Sequence, residues 1–294
     1  MMRNSLQNKT AILVFTLPTL ILFTIVVSVP IFNTFYRSFF DWDGLSTPIF
    51  TGIKNYKLLL NDDLFYISLK NGIIYASVLT FYQIGVSSLL AFLLSIKNLK
   101  GRKIIRTSLF IPVVLSVTVV CQLWLSIYNG EFGLLNKVFE ILGVSYRQDW
   151  LSGSNSAIFT IAFVDSWQYM GYYLVLIYAA MQAIPEQYYE AAEIDGASSL
   201  KKYFKITIPL LVETYKFCLI LTITGGLKAF SCMYIMSKGG PGTATYTLTY
   251  LMYRSAFRIN EFGYACASAS TLVIGCLIVT FLINKFMAKN AIYY

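Results

Sequence analysis

The chain has 294 residues, 57% hydrophobic and 13% charged, with 23 Lys and Arg against 14 Asp and Glu. It has no histidine, which removes a Ser-His-Asp triad, a Cys-His dyad and any histidine-held metal; its five cysteines never form CxxC, so neither a zinc site nor a disulfide framework is expected. The net charge of +9 is carried on short loops beside apolar runs, which points to membrane topology and not to nucleic acid.

Four runs, 10–36, 71–96, 107–130 and 262–284, contain no charged residue, and two more, 150–185 and 217–237, contain only Asp165 and Lys228 respectively. A soluble helix needs charge on its solvated face, whereas a hydrocarbon core asks for roughly 20 apolar residues per helix. The chain is therefore expected to be an all-α, polytopic membrane protein with six transmembrane helices, near 11–36, 71–96, 107–128, 157–181, 215–236 and 262–284. The first run is too long for a secretory signal and lacks a small-residue cleavage site, so it is read as retained, bent at Pro18 and Pro30. Placing the N-terminus inside gives the inner segments about twice the Lys and Arg density of the outer ones, with Lys97, Lys100, Arg102, Lys103 and Arg106 in one short loop weighing most. Both termini are then cytoplasmic. No internal repeat or linker interrupts the chain, so 1–294 is treated as one transmembrane domain with an inner loop at 182–214.

That loop has the composition of a partner-binding segment. Pro185 suits the first position of a helix, Glu186 favours its positive end, and Gly196 can close it in a left-handed conformation. A helix of about three turns is predicted, with Glu190, Glu193 and Asp195 giving it a negative face. On helix physics alone, an interfacial connector between two spans explains the loop equally well.

The string Glu190-Ala191-Ala192, then Asp195-Gly196, then Ile206, Ile208 and Pro209, resembles the EAA loop of binding-protein-dependent ABC importers, with Ile208 where that pattern has Leu. Gly52-Ile-Lys-Asn-Tyr56, Asp149-Trp-Leu151, Gly239-Gly-Pro241 and the stretch from Tyr253 to Ala265 are similar to the carbohydrate-type permeases of that family. The resemblance covers roughly residues 12–285. It implies the type I importer permease fold and a bacterial inner (plasma) membrane location. It also implies a set of partners: a second homologous permease, two ATP-binding subunits that dock on Glu190, Ala191, Ala192, Asp195, Gly196, Ile206 and Pro209, an extracellular substrate-binding lipoprotein, and a carbohydrate. The permease of such a system is not an enzyme and binds no cofactor; ATP and Mg belong to the ATPase chains. In agreement, the chain has no GxxxxGK[ST] phosphate loop.

Charged groups within a span are costly and mark a solute path or a partner, so Asp165 and Lys228 are the first candidates for the pathway, with an ion pair between them as one reading. Asp165, Gln168, Tyr169 and Tyr172 follow i, i+3, i+4, i+7 and share a helix face beside Trp167; polar groups next to aromatic faces suit sugars. In the maltose-type relatives, the resemblance implies that the positions of Asp165, Trp167 and Tyr172 line the sugar site, with an amide where this chain has Asp165. Thr118 and Gln122 on the third helix are weaker candidates, for which helix packing is the stronger reading. Gly225 and Gly226 allow close packing or a bend. A secondary transporter would be expected to show inverted repeats and several intramembrane charges, and a membrane enzyme a cluster of acid, base or metal ligands.

Overall fold

The computed structural model describes residues 9–96, 99–144 and 146–287. Lys97 and the two chain ends on which the orientation argument partly rested lie outside them. The described chain is almost wholly helical and forms two compact units, one made of residues up to Asp62 with Met252–Thr271, the other of Asp63–Leu251 with the residues from Leu272 on.

In the first unit, α1 (Lys9–Phe23) continues through a π-helical turn, Thr24–Ser28, into α2 (Val29–Arg37). Nearly every side chain from Ile12 to Tyr36 is exposed, as expected of a helix whose solvent is lipid or another chain. A short antiparallel pair follows, β1 (Phe40–Asp41) with β2 (Ile49–Phe50), the one departure from an all-helical expectation among the described residues. In its turn the Asp43 carboxylate accepts from Leu45 N, Ser46 N and Ser46 Oγ, and the backbone donors hold its pKa down at about 2. The buried Asn55, on α3 (Lys54–Leu60), donates to the carbonyls of Ser38 and Phe40 at 2.8 Å each, fixing the end of α2 to the pair. Tyr264, on α16 (Phe262–Met287), donates to Asp62 at 2.6 Å.

The second unit is built round one helix. From Asp63, α4 (Asp63–Leu79) passes through a π-helical stretch, Thr80–Val86, into α5 (Ser87–Ser95), so this span starts well before residue 71, where the charges end. Next, α6 (Arg102–Val114) and α7 (Val117–Ile127) meet at a bend of 104°, where one straight helix was expected. The sequence reason lies in Pro112 and Ser116: proline weakens the last turn of α6, and extended Ser116 caps α7 by accepting from Val119 N. After α8 (Leu134–Ile141) comes α9 (Ala157–Gln182), which packs against α4, α5 and α6 and buries thirteen residues. The loop 182–214 holds α10 (Gln187–Ile194) and then α11 (Ser199–Lys202), which runs through a π turn, Tyr203–Thr207, into α12 (Ile208–Leu210). The span that follows is α13 (Val212–Leu227) and α14 (Ser231–Met236), interrupted at 228–230. In chain order α15 (Leu248–Phe257) follows, before α16.

By length and composition, four stretches of the described residues can cross a membrane, Ile12–Arg37, Asp63–Ser95, Val212–Met236 and Phe262–Met287, or five if bent α6–α7 counts as one span. α9 is long enough, but its polar middle from Asp165 to Tyr173 keeps it out of that group.

All five cysteines are free thiols. Cys121 on α7 and Cys232 on α14 are both buried, as the sequence suggests for small hydrophobes inside apolar runs, and their sulfurs are 3.7 Å apart. Copper–phenanthroline oxidation is expected to join them, since a disulfide needs the sulfurs to approach to about 2.05 Å, a small rotation at each Cβ. Peptide mapping without reductant reads the link, and its absence under conditions that oxidise other thiols would contradict the packing of α7 on α14.

Candidate functional site: an intramembrane cavity and a capped loop helix

A cavity of about 350 Å³ opens in the second unit between α4, α7, α9 and the interrupted α13–α14 span. Asp165 lines it from α9, and its carboxylate accepts a hydrogen bond of 2.9 Å from Tyr75, whose side chain is fully buried. Lys228 lines the same cavity from the residue that ends α13, and it is exposed. The ion pairs among the described residues are Lys54–Asp41, Lys202–Glu193 and Lys216–Glu213, so the two intramembrane charges share a cavity without pairing. Gln83, Thr222 and Ser231 add amide and hydroxyl groups, and Tyr169, Tyr173 and Phe230 add rings. Hydroxyl-rich solutes need this mixture, a partner for each O–H and a π surface for C–H faces.

The face of α9 turned to the cavity carries Asp165, Tyr169 and Tyr173, a stripe of i+4 steps. The other predicted members of the cluster lie elsewhere. Gln168 is buried and donates from Nε2 to the Leu115 carbonyl at 2.9 Å, satisfying a backbone group that the α6–α7 bend leaves without a helical partner. Trp167 packs edge-on against Trp124, 5.5 Å between ring centroids, in the core between α7 and α9. Tyr172 is exposed and meets Tyr173 edge-on. Thr118 and Gln122 stand on the exposed side of α7, which meets the cavity through Val117. Of the paired glycines, Gly225 has open space around it and lines the cavity, while Gly226 presses against Ala76 of α4. Tyr75, Gln83, Thr222 and Ser231 were not singled out from the sequence, although Asn71, Tyr75, Leu79 and Gln83 form an i+4 series in which three of four are polar, inside a charge-free run.

The loop helix α10 is shorter than expected, eight residues, and starts after Glu186 with Pro185 just outside it. Its end is a Schellman motif: Gly196 N bonds to Glu193 O at 3.0 Å, Ala197 N to Ala192 O at 2.8 Å, and Gly196 is left-handed with φ +71°. Two bonds tie it down, Tyr189 to Thr207 at 2.9 Å and Lys202 to Glu193 at 2.7 Å. What remains outward is Glu190, Ala191, Asp195 and Ile194, the last 88% exposed, with Leu200 and Phe204 exposed on the next helical segment. Ile206 and Pro209 are half-buried where that segment turns towards α13. Behind α10 lies a groove of about 790 Å³ lined by Arg102, Glu186, Glu190, Glu193, Lys202 and Tyr203.

Several apolar spans, a polar cavity among them and an exposed helix held at the end of one of them define a multi-pass transport subunit. The chain belongs to the family described as "Binding-protein-dependent transport system inner membrane component", which it matches over residues 8–290. It is 36% identical over 283 residues to the probable ABC transporter permease protein YurN of Bacillus subtilis, covering 95% of this chain and 97% of that one. It is 33% identical to the arabinooligosaccharides transport system permease protein AraP of the same organism, over 95% of this chain and 89% of that one. With the trehalose/maltose transport system permease protein MalF of Thermococcus litoralis it shares 32% identity, over 91% and 89% of the two chains. The similarity to carbohydrate-type permeases is thus matched by relatives that are themselves named for sugars. A crystal structure of a bacterial ABC transporter that imports the acidic polysaccharide alginate has the same fold, with TM-score 0.83 at 19% identity over 98% of both chains.

Proposed function

We propose that the chain is the transmembrane permease of an ATP-driven importer, passing a sugar or oligosaccharide that an extracellular binding protein delivers. The observation that carries this reading is α10: an exposed, acidic helix, capped at Gly196 and tied by Tyr189 and Glu193 to the segment that leads into α13. Separate ATPase subunits, holding ATP and Mg, dock on Glu190, Ala191, Ala192, Asp195, Gly196, Ile206 and Pro209. The exposed Ile194, Leu200 and Phe204 suit the apolar part of such a contact. α9 is the sixth span, its polar middle tolerated because it faces a cavity and helices, not lipid. The chain is then a single permease domain in the bacterial cell membrane, both termini cytoplasmic. Thr118 and Gln122, exposed at membrane depth on α7, favour a second homologous permease against that face.

Right-side-out vesicles carrying the chain, its partner permease, the ATPases and the binding protein test this reading. Uptake of the delivered sugar is expected to follow ATP on the ATPase side and to persist when an ionophore collapses ion gradients. Uptake that dies with the gradient and ignores ATP would make the chain a secondary transporter.

A further inference from the structure

We infer that the cavity selects a zwitterionic sugar derivative, one hydroxyl-rich skeleton carrying both an amine and a carboxylate, with Asp165 and Lys228 as the residues that set this specificity. The inference rests on the reading of the cavity as the solute path. Two opposite charges within one small space attract strongly where water is scarce, and pairing is their ordinary fate. Here they are held on separate helices. Asp165 sits inside α9 with its carboxylate engaged by the fully buried Tyr75, and the Gln83 amide donates to its main-chain carbonyl at 3.4 Å. Lys228 sits at the interruption that ends α13 and lines the same cavity.

A neutral saccharide entering this space displaces water from both charges and supplies a counter-charge to neither, and a singly charged one leaves the other unmatched. A solute with an ammonium group for Asp165 and a carboxylate for Lys228 answers both, while Gln83, Thr222 and Ser231 take its hydroxyls and Tyr169, Tyr173 and Phe230 its C–H faces. The volume of about 350 Å³ lies at the small end of ligand pockets, fitting a modified monosaccharide better than a long oligosaccharide.

The test is calorimetric binding to the importer assembled with its partner permease and ATPases but without the binding protein, using four probes: muramic acid with amine and carboxylate, glucosamine with amine only, glucuronate with carboxylate only, and maltose with neither. Muramic acid is expected to bind tightest. Asp165→Asn is expected to weaken muramic acid and glucosamine about tenfold or more and to spare glucuronate. Lys228→Met is expected to do the reverse, and Lys228→Arg, which keeps the charge, to retain glucuronate binding. Each variant is first checked for an unchanged elution profile; where one does not fold, the order of the four probes on the unsubstituted importer decides, and maltose binding as tightly as muramic acid there overturns the charge assignment. Maltose binding as tightly as muramic acid, with both substitutions leaving the order unchanged, overturns the charge assignment alone. Binding of none of the four overturns the cavity as a sugar path and this inference with it.

Discussion

Replacing Glu190 with Arg and Gly196 with Val in one chain is expected to abolish ATP-driven uptake while the permease itself still folds. The two changes act on the same short element by different routes. Gly196 closes α10 at φ +71°, where a β-branched side chain is strained by roughly 1–2 kcal/mol, and the Schellman bonds from Gly196 and Ala197 are lost with that geometry. Nothing lies within 4 Å of where a Cβ would be, so the damage is conformational and confined to the loop. Glu190 lies in the first turn of α10, exposed at the mouth of the groove behind it, so reversing its sign puts a cation at the positive end of the helix and inverts the surface offered to a partner. Co-purification of the ATPase subunits and vesicle uptake are the readouts. Full uptake by the double variant would mean that energy reaches the membrane helices by some other surface.

The second large effect separates two adjacent glycines. Gly226→Leu is expected to leave little folded permease, because a Cβ there would stand 2.6 Å from the Cα and 2.8 Å from the Cβ of Ala76, forcing α13 off α4. Overpacking of this kind costs about 1–3 kcal/mol where side chains can yield, and more where the obstacle is backbone. Gly225→Leu is expected to fold, since nothing lies within 4 Å, and to obstruct transport, since Gly225 lines the cavity. Thermal unfolding in detergent and uptake separate the outcomes. Equal stability of the two variants would show that α13 is not seated on α4 through Gly226.

The spans were legible because lipid sorts residues by one property, and a run such as 262–284 without a charge has few other uses. Their interruptions were not. The 104° turn at Leu115–Ser116 depends on Pro112, a capping serine and the Gln168 amide that reaches across from α9, and the last of these is 53 residues away in sequence. The same distance problem explains the site. Periodicity put Asp165, Gln168, Tyr169 and Tyr172 on one face, yet a helix face is wide enough to hold both a cavity wall and a brace. Only the neighbours α4, α6, α7 and α13 decide that Tyr169 and Tyr173 meet the cavity while Gln168 holds a backbone and Trp167 packs on Trp124. The Gly196 cap was readable because one residue type serves one backbone angle, whereas the start of α10 was not, because Pro185 tolerates several positions near a helix start.

The helix that leaves the loop is also the one that ends at the cavity. α13 has sixteen residues and is about 24 Å long, with Lys228 at one end and, beyond Leu211 at the other, the segment to which α10 is tied. Under the coupling proposed above it is a lever with a charge at its tip. A tilt of about 10° about its loop end carries that tip about 4 Å, far enough to take an ammonium group out of hydrogen-bonding reach of anything it holds.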